Sequence, residues 1–372
     1  MEFTISAGEL ASALSHAKGI AKPSTIPILA NVMLSAKGGN IRITANNLQQ
    51  MISLSIPAEI ASEGATTLPL QSFLGLVKAM PKDADIKVKA DTEKGRIHTS
   101  CGRSKYQLPT LPADDFPEFK FDDAGAVSFA MAPADLAGAL EVTRPCASTE
   151  ETRYYLGGVC LTSEAKRLAF VATDGHRLSR LTVDPPDGAA TVSTVIVPTL
   201  AATGIVSLCK SGEAEAGDAE ITLTPSKIRV ELGSVTFASK LIDGTYPDYQ
   251  RVIPHANGVS FRVPAKGLGE VLERIDTILD EDGRPVRIKT NGASIELSTR
   301  QTINGEAGSE TIDAEIVSAL TIGVNARYLA QAIGFFPPKA NLEFWACDPS
   351  SPILITSPDA PALTQVIMPT RI

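Results

Sequence analysis

Two hydrophobic periods run through the chain. Apolar and polar residues alternate in Ile41-Arg42-Ile43-Thr44, Ile86-Lys87-Val88-Lys89, Ile228-Arg229-Val230-Glu231-Leu232 and Ile295-Glu296-Leu297, the period of a half-buried strand. Elsewhere leucines fall four apart, as in Leu10 and Leu14, Leu136 and Leu140, and Leu268 and Leu272, the spacing of an amphipathic helix. Each leucine pair follows a short strand-like segment with Phe seven residues before the first Leu: Phe3, Phe129 and Phe261, placed 126 and 132 residues apart.

A second unit recurs half a repeat later. Thr67-Leu68-Pro69 precedes Phe73-Leu74-Gly75-Leu76-Val77, Ile196-Val197-Pro198 precedes Gly204-Ile205-Val206, and Ile322-Gly323-Val324-Asn325 precedes Leu329 to Ile333. Phe116-Pro117 is echoed by Tyr246-Pro247. Three sets in phase predict a threefold repeat. Each repeat reads as two copies of a strand, a helix and several strands, an α+β unit with two helices on antiparallel sheets. Helices are expected over 7–20, 71–80, 133–145, 198–210, 264–279 and 325–336, the first of each repeat opening near Ala7, Pro133 or Pro264, since Pro suits the first helical position. Acidic or Gly-containing segments, Asp122-Asp123-Ala124-Gly125 and Pro254-His255-Ala256-Asn257-Gly258, read as linkers. Domains are therefore expected at 1–124, 125–254 and 255–372.

At 372 residues, with 44% hydrophobic and 20% charged positions, the chain can bury several cores and is not a disordered protein. No signal-peptide-like segment opens it, and no apolar run reaches membrane-spanning length, so a non-exported protein is expected. The five cysteines, Cys101, Cys146, Cys160, Cys209 and Cys347, are dispersed without a C-x-x-C pair. They read as small buried apolar residues rather than a disulfide or zinc framework. A net charge of −8 argues against indiscriminate phosphate binding over the whole surface, though a local basic face is compatible with it.

Catalytic candidates are few. Only His176 of the four histidines lies in a dense polar motif, Ala172-Thr173-Asp174-Gly175-His176-Arg177-Leu178, where Asp174 could orient an imidazole as a general base. Asp-Gly between apolar stretches is also the mark of a tight turn. Asp280-Glu281-Asp282-Gly283 begins like a calcium loop, but Asn291 stands where the bidentate Glu belongs. There is no glycine loop for phosphates, and Trp345 reads as core. No cofactor or metal is expected. From these residues the chain is a binding or scaffolding protein; an enzyme using Asp174 and His176, and a repeat scaffold with no DNA role, stay open as alternatives.

Six in-order segments resemble the bacterial DNA polymerase III beta subunit, the sliding clamp. They are Thr25-Ile26-Pro27-Ile28-Leu29-Ala30-Asn31, Gly64-Ala65-Thr66-Thr67, Arg153-Tyr154-Tyr155-Leu156, Ala172 to Leu178, Ser239 to Tyr249, and the terminal Val366-Ile367-Met368-Pro369-Thr370-Arg371-Ile372. The resemblance spans all three domains. It implies the DNA-clamp fold, a head-to-tail dimer forming a six-domain ring around duplex DNA with helices lining the hole, and no catalytic activity. It also implies partners in the cytoplasm, at the nucleoid: the polymerase III alpha subunit, clamp-loader subunits, and other polymerases and repair proteins with short clamp-binding motifs. The six expected helices carry a net +1 against −9 for the rest, a weak field of the sign that sequence-independent sliding needs.

Residue by residue, the resemblance implies DNA contacts at Lys22, Gln71, Lys78, Glu150, Arg153, Tyr154, Tyr155 and Lys210. Tyr154 and Tyr155 match the family, whereas Pro23, Gln71 and Glu150 stand where relatives can carry other, often basic, residues. The implied pocket for partner peptides comprises Leu156, Thr173, Gly175, His176, Arg177, Leu178, Pro247, Arg251, Val252, Ile353 and the tail Val366, Ile367, Met368, Pro369, Thr370, Arg371 and Ile372. Such an apolar slot with polar rims suits an extended peptide with Leu or Phe anchors. The implied dimer interface joins Lys105, Tyr106 and Leu108 to Ile278 and Leu279 of the other chain, with Arg103 and the Asp280-Glu281-Asp282 run at its rim.

Overall fold

The computed structural model describes residues 1–189, 192–256, 258–279, 285–300 and 305–371; the candidate calcium loop, the acidic run at the expected interface rim, and Ile372 lie outside them. Three times the chain repeats nearly one order of elements, the second pass lacking, among the described residues, the short strand that precedes the last strand before the second helix. The first pass is β1 (Glu2–Ser6), α1 (Ala7–His16), β2 (Asn31–Lys37), β3 (Asn40–Asn46), β4 (Gln50–Pro57), β5 (Glu59–Ser62), β6 (Gly64–Pro69), α2 (Leu70–Lys78), β7 (Asp85–Asp91), β8 (Arg96–Cys101) and β9 (Ser104–Pro109). The second is β10 (Val127–Met131), α3 (Pro133–Thr143), β11 (Gly158–Glu164), β12 (Arg167–Thr173), β13 (Arg177–Val183), β14 (Val195–Pro198), α4 (Thr199–Cys209), β15 (Ala219–Leu223), β16 (Lys227–Leu232) and β17 (Val235–Lys240). The third is β18 (Phe261–Pro264), α5 (Ala265–Asp276), β19 (Pro285–Asn291), β20 (Ser294–Thr299), β21 (Ser309–Asp313), β22 (Glu315–Ile316), β23 (Thr321–Asn325), α6 (Ala326–Gly334), β24 (Asn341–Trp345), β25 (Ile353–Thr356) and β26 (Leu363–Ile367). This is the α+β order that the periodicities predict.

Local chemistry sets the helix ends. Ser6 Oγ accepts from the Glu9 N–H at 3.3 Å and donates to the Glu9 carboxylate at 3.0 Å, a side-chain N-cap that opens α1. Asn325 caps α6 by accepting from Tyr328 N–H. Pro133 is the first residue of α3, as expected, but Pro264 sits one place earlier, as the cap of α5. The leucines spaced by four are all buried: Leu10 and Leu14, Leu136 and Leu140, Leu268 and Leu272. Among the described residues no helix is long and apolar enough to cross a membrane.

The chain packs as two compact units, one of residues 1–138, 186–189 and 200–241, the other of 139–185, 190–199 and 242–372. The first unit holds a five-stranded sheet, β5-β1-β7-β8-β9, and an eight-stranded one, β10-β15-β16-β17-β4-β3-β2-β6. In the second unit are a nine-stranded sheet, β14-β11-β12-β13-β26-β25-β24-β18-β22, and a four-stranded one, β21-β20-β19-β23. In the first unit Phe3, Leu10, Leu14, Ile41, Ile43, Leu68 and Phe73 are fully enclosed. The core of the third repeat centres on Phe261 and Phe344, stacked at 4.5 Å, with Leu268, Leu272, Leu329 and Ile333 from α5 and α6.

Both long sheets continue from one repeat into the next by the same junction. The fourth strand of the first repeat, β4, pairs with the last strand of the second, β17, with Ile52 opposite Phe237. At the next junction β13 pairs with β26, Ser179 opposite Gln365. Within the second unit, β11 and β14 approach so closely at Gly158 that a Cβ there would collide with the Val197 carbonyl oxygen. Gly158→Ala is therefore expected to destabilise the protein by about 1–3 kcal/mol, read as a lower urea midpoint with an unchanged slope.

Candidate functional site

Antiparallel register builds the site. Thr173, Leu178, Val366, Leu354 and Trp345 stand opposite one another across β12, β13, β26, β25 and β24, and directly opposed residues share a face of the sheet. Leu156, Cys160, Val171, Tyr246 and Tyr249 pack with this row into one apolar cluster. Trp345 is only partly buried; its Nε1–H donates to Thr356 Oγ1 at 3.0 Å. It therefore borders the site rather than filling a core. Above the buried floor, Val252 is 50% and Met368 40% exposed, and Gly175, His176 and Pro247 are exposed. Completing the burial of two such side chains is worth about 1 kcal/mol each to a ligand.

A pocket of about 190 Å³ beside the floor is lined by Cys160, Glu164, Tyr246, Pro247 and Tyr249 among others. Tyr249 Oη donates to Glu164 at 2.9 Å, and Arg180 pairs with the same carboxylate at 3.0 Å. Burial and then the neighbouring Glu164 push the Tyr249 hydroxyl up, and burial does the same to Tyr246. Both phenols stay neutral at physiological pH.

The motif around His176 is a turn. Asp174 Oδ1 accepts from the N–H groups of His176 (2.9 Å) and Arg177 (3.0 Å), and Oδ2 accepts from Arg177 Nε at 3.0 Å. Gly175 has φ of +87°, a backbone that glycine adopts without strain. The Asp174 carboxylate is committed to this backbone and to Arg177, so it does not act as the partner of an imidazole base. The turn fixes the tail: Met368 N–H donates to His176 O at 2.8 Å, and Thr370 N–H to Gly323 O at 2.9 Å.

The residues named from the sequence divide between places. Leu156, Thr173, Leu178 and Val366 meet at the floor, with Pro247 beside them. Arg177, Ile367 and Ile353 stand opposite one another in register on the other face, where Ile353 and Ile367 are 1% exposed in the core of the third repeat. Arg251 and Val252 lie on the exposed turn Tyr249–Val252, and Arg251 pairs with Asp248 at 2.8 Å. Pro369, Thr370 and Arg371 follow Met368 along the tail. Tyr246, Tyr249, Leu354 and Trp345 belong to the site and were missed. For Tyr246 the signal was present in the echo of Phe116-Pro117 by Tyr246-Pro247; Leu354 lies in the continuous apolar run Ile353-Leu354-Ile355, which carries no alternation to assign its face.

Of the residues expected at DNA, Lys22, Gln71, Lys78 and Lys210 are exposed in the first unit, with Gln71 and Lys78 at opposite ends of α2. In the second unit Glu150 pairs with Arg153 at 3.0 Å, so its charge is locally compensated. Arg153 also donates to Asp174 O at 3.2 Å. Tyr154 is 58% exposed and meets Tyr155 edge to face at 5.8 Å, while Tyr155 packs against the floor cluster. Arg103, Lys105, Tyr106 and Leu108 lie on or beside β9, the edge strand of its sheet. Ile278 and Leu279 follow α5, Ile278 lying against Gly308 and Leu279 against the core of the third repeat.

At the other junction, the corresponding face is occupied by the chain itself. Asn46 donates to Pro117 O at 2.9 Å, Lys227 Nζ donates to Lys120 O at 2.6 Å, and Lys227 and Arg229 lie over Phe119 and Phe121. Arg229 also pairs with Asp123 at 3.1 Å. The equivalent segment after Pro247 coils into a short helical turn instead, which leaves an accessible rim.

Three family models cover the chain: the N-terminal domain of the DNA polymerase III beta subunit over 1–120, its central domain over 130–248, and its C-terminal domain over 250–371. The chain belongs to the DNA polymerase III beta subunit family. It is 34% identical over 381 residues to the beta sliding clamp of Caulobacter vibrioides and 28% over 376 residues to that of Escherichia coli, each alignment covering 100% of both chains. A crystal structure of the Caulobacter crescentus beta sliding clamp matches with a TM-score of 0.94 at 33% identity, covering 100% of this chain and 99% of that one. The Bartonella birtlesii clamp bound to griselimycin matches at 0.93 and 30%, covering 100% of both. The beta subunit is a non-catalytic replication clamp, which closes the enzyme reading of Asp174 and His176.

The clamp's thiols do not form one buried class. Cys146, Cys160 and Cys209 are buried as expected, but Cys347 is exposed and Cys101 partly so. Cys101 ends β8, and Cys347 lies in the bend two residues past β24. Burial pushes the Cys146 and Cys160 thiols up to about 12 and Cys209 to about 11. Because the thiolate is the nucleophile, these three are expected to resist a thiol reagent at pH 8 in the native state while Cys347 reacts; peptide mass spectrometry after brief alkylation reads the pattern.

Proposed function

We propose that two copies of this chain close head to tail into a ring around duplex DNA, and that the groove on β12, β13 and β26 receives extended peptides of the replicative polymerase, the clamp loader and repair proteins. One observation carries the ring. Each junction joins the fourth strand of one repeat to the last strand of the next, as β4 with β17 and β13 with β26. That rule leaves β9, the last strand of the first repeat, and β21, in the fourth-strand place of the third, as sheet edges. Such edges are templates for pairing with another chain, and a heterologous pairing of this kind makes a closed ring when the rotation closes.

The rule also supplies a register. Hairpin closure at Cys101 opposite Ser104 and at Leu232 opposite Val235 puts Tyr106 in the place of Phe237. Pairing of Asn40 with Pro57 and of Ser294 with Asp313 puts Gly308 in the place of Ile52. Tyr106, 43% exposed, would thus stand opposite the partner's Gly308. The missing side chain there leaves room for the ring of Tyr106 over the partner's Ile278, with Leu108 and Leu279 extending the apolar centre and Arg103 and Lys105 at its rim. Ile278→Arg with Leu279→Asp should give monomers by light scattering; a dimer that persists would overturn this interface.

The three domains run over 1–124, 125–254 and 255–372. Within the ring, Lys22, Gln71, Lys78, Arg153, Tyr154, Tyr155 and Lys210 would meet phosphates without reading sequence, and Glu150 would moderate Arg153. The groove reading is supported by a buried apolar floor beneath the half-exposed Val252 and Met368, and by the Bartonella clamp bound to griselimycin. The chain acts in the cytoplasm, on nucleoid DNA. Loading onto a nicked circle with a clamp loader and ATP, followed by one restriction cut, tests the ring. Release only after linearisation is expected; release governed by salt alone would reduce the protein to an ordinary DNA binder.

A further inference from the structure

Arg177 belongs to the motif of the groove, yet its side chain leaves the groove. It stands on the face opposite Leu178 and Val366. Its guanidinium donates to Pro145 O at 2.6 Å and to Gln331 Oε1, pairs with Asp174 at 3.0 Å, and lies 4.3 Å from the ring centre of Tyr328. Tyr328 and Gln331 are on α6, which follows directly from β23, whose Gly323 carbonyl holds Thr370 of the tail. The tail is thus tied at two points, His176 O and Gly323 O. Both anchors meet at Arg177, one through the turn and the other through α6.

The first junction shows what part of this is generic. There Asn47 Oδ1 accepts from Gln49 N–H (3.1 Å) and Gln50 N–H (2.7 Å), as Asp174 does in its turn. Lys240 N–H donates to Gln49 O at 2.9 Å, the counterpart of Met368 and His176. Gln50 occupies the place of Arg177. The turn and its strand-end bond therefore form without a cation; the guanidinium and its ties to α6 are added only where the face is a groove. A buried pair with all its hydrogen bonds made holds one geometry, and losing a partner is costly.

We propose that Arg177 and Gln331 are positioning residues for the peptide groove. Gln331 on α6 holds the guanidinium, the guanidinium holds the turn 174–177, and the His176 carbonyl then sets where Met368 stands at the groove's rim. The ligand is an extended peptide with apolar anchors, so the inference rests on the groove reading above.

The test uses the full-length dimer and a fluorescein-labelled pentapeptide ending in Leu-Phe, followed by anisotropy. Gln331→Ala removes one acceptor from the guanidinium and leaves α6 with a better helix former. Its affinity is expected to fall about three- to tenfold, with little change in Tm. Gln331→Glu, which restores an acceptor, should bind like the unmodified chain. In amide NMR the Met368 resonance should move in Gln331→Ala while that of Lys240, at the matching bond of the first junction, stays. Binding that is lost in Leu178→Asp but unchanged in Gln331→Ala, with Met368 unmoved, would overturn this inference alone. Failure of Gln331→Glu to restore binding would overturn it too. No binding by the unmodified chain would overturn the groove reading and this inference together.

Discussion

A strand at the edge of a sheet presents a row of backbone N–H and C=O groups that must find partners in water or in another strand. In this chain that requirement is met by one device used twice. The fourth strand of a repeat takes the last strand of the next, so that Ile52 meets Phe237 and Ser179 meets Gln365. Because each junction uses one edge from each side, a linear chain of three repeats ends with one edge of each kind to spare. The head-to-tail ring proposed above uses that asymmetry, and a face-to-face dimer would not.

The same junction creates the candidate groove. When β13 and β26 pair, Leu178 and Val366 come side by side on one face, and Leu354 and Thr173 extend the row. At the first junction that face is taken by Phe119 and Phe121 beneath Lys227 and Arg229. Two equivalent surfaces thus have different fates, decided by the path of the connecting segment. An internal segment is present at an effective concentration that a free peptide cannot match, so the face at the first junction is covered by its own chain, while that at the second stays open.

Charge is used sparingly. Several cations around the groove are paired: Arg153 with Glu150, Arg180 with Glu164, Arg251 with Asp248 and, behind the sheet, Arg177 with Asp174. Such pairs contribute little net stability when exposed but fix geometry where they are enclosed. For the ring and groove proposed above, shape and apolar burial serve sliding and partner exchange better than strong phosphate or peptide ion pairs would.

Local features were legible in the sequence. The leucines spaced by four marked the buried faces of α1, α3 and α5; Asp174-Gly175 marked a turn; and the echoes of Phe3 and Phe116-Pro117 gave the repeat. These are properties of neighbouring residues, fixed by backbone periodicity and side-chain reach. The faces of β12 and β26 were not legible, because Leu168 to Thr173 and Gln365 to Ile367 are buried on both sides, and a strand covered twice carries no alternation to read. Hence the motif set Arg177, Ile353 and Ile367 beside Leu178 and Val366, although register puts them on the opposite face. Which edge meets which, where the guanidinium of Arg177 goes, and which connecting segment fills its junction are long-range outcomes. They depend on pairing between strands more than a hundred residues apart, and only the folded chain decides them.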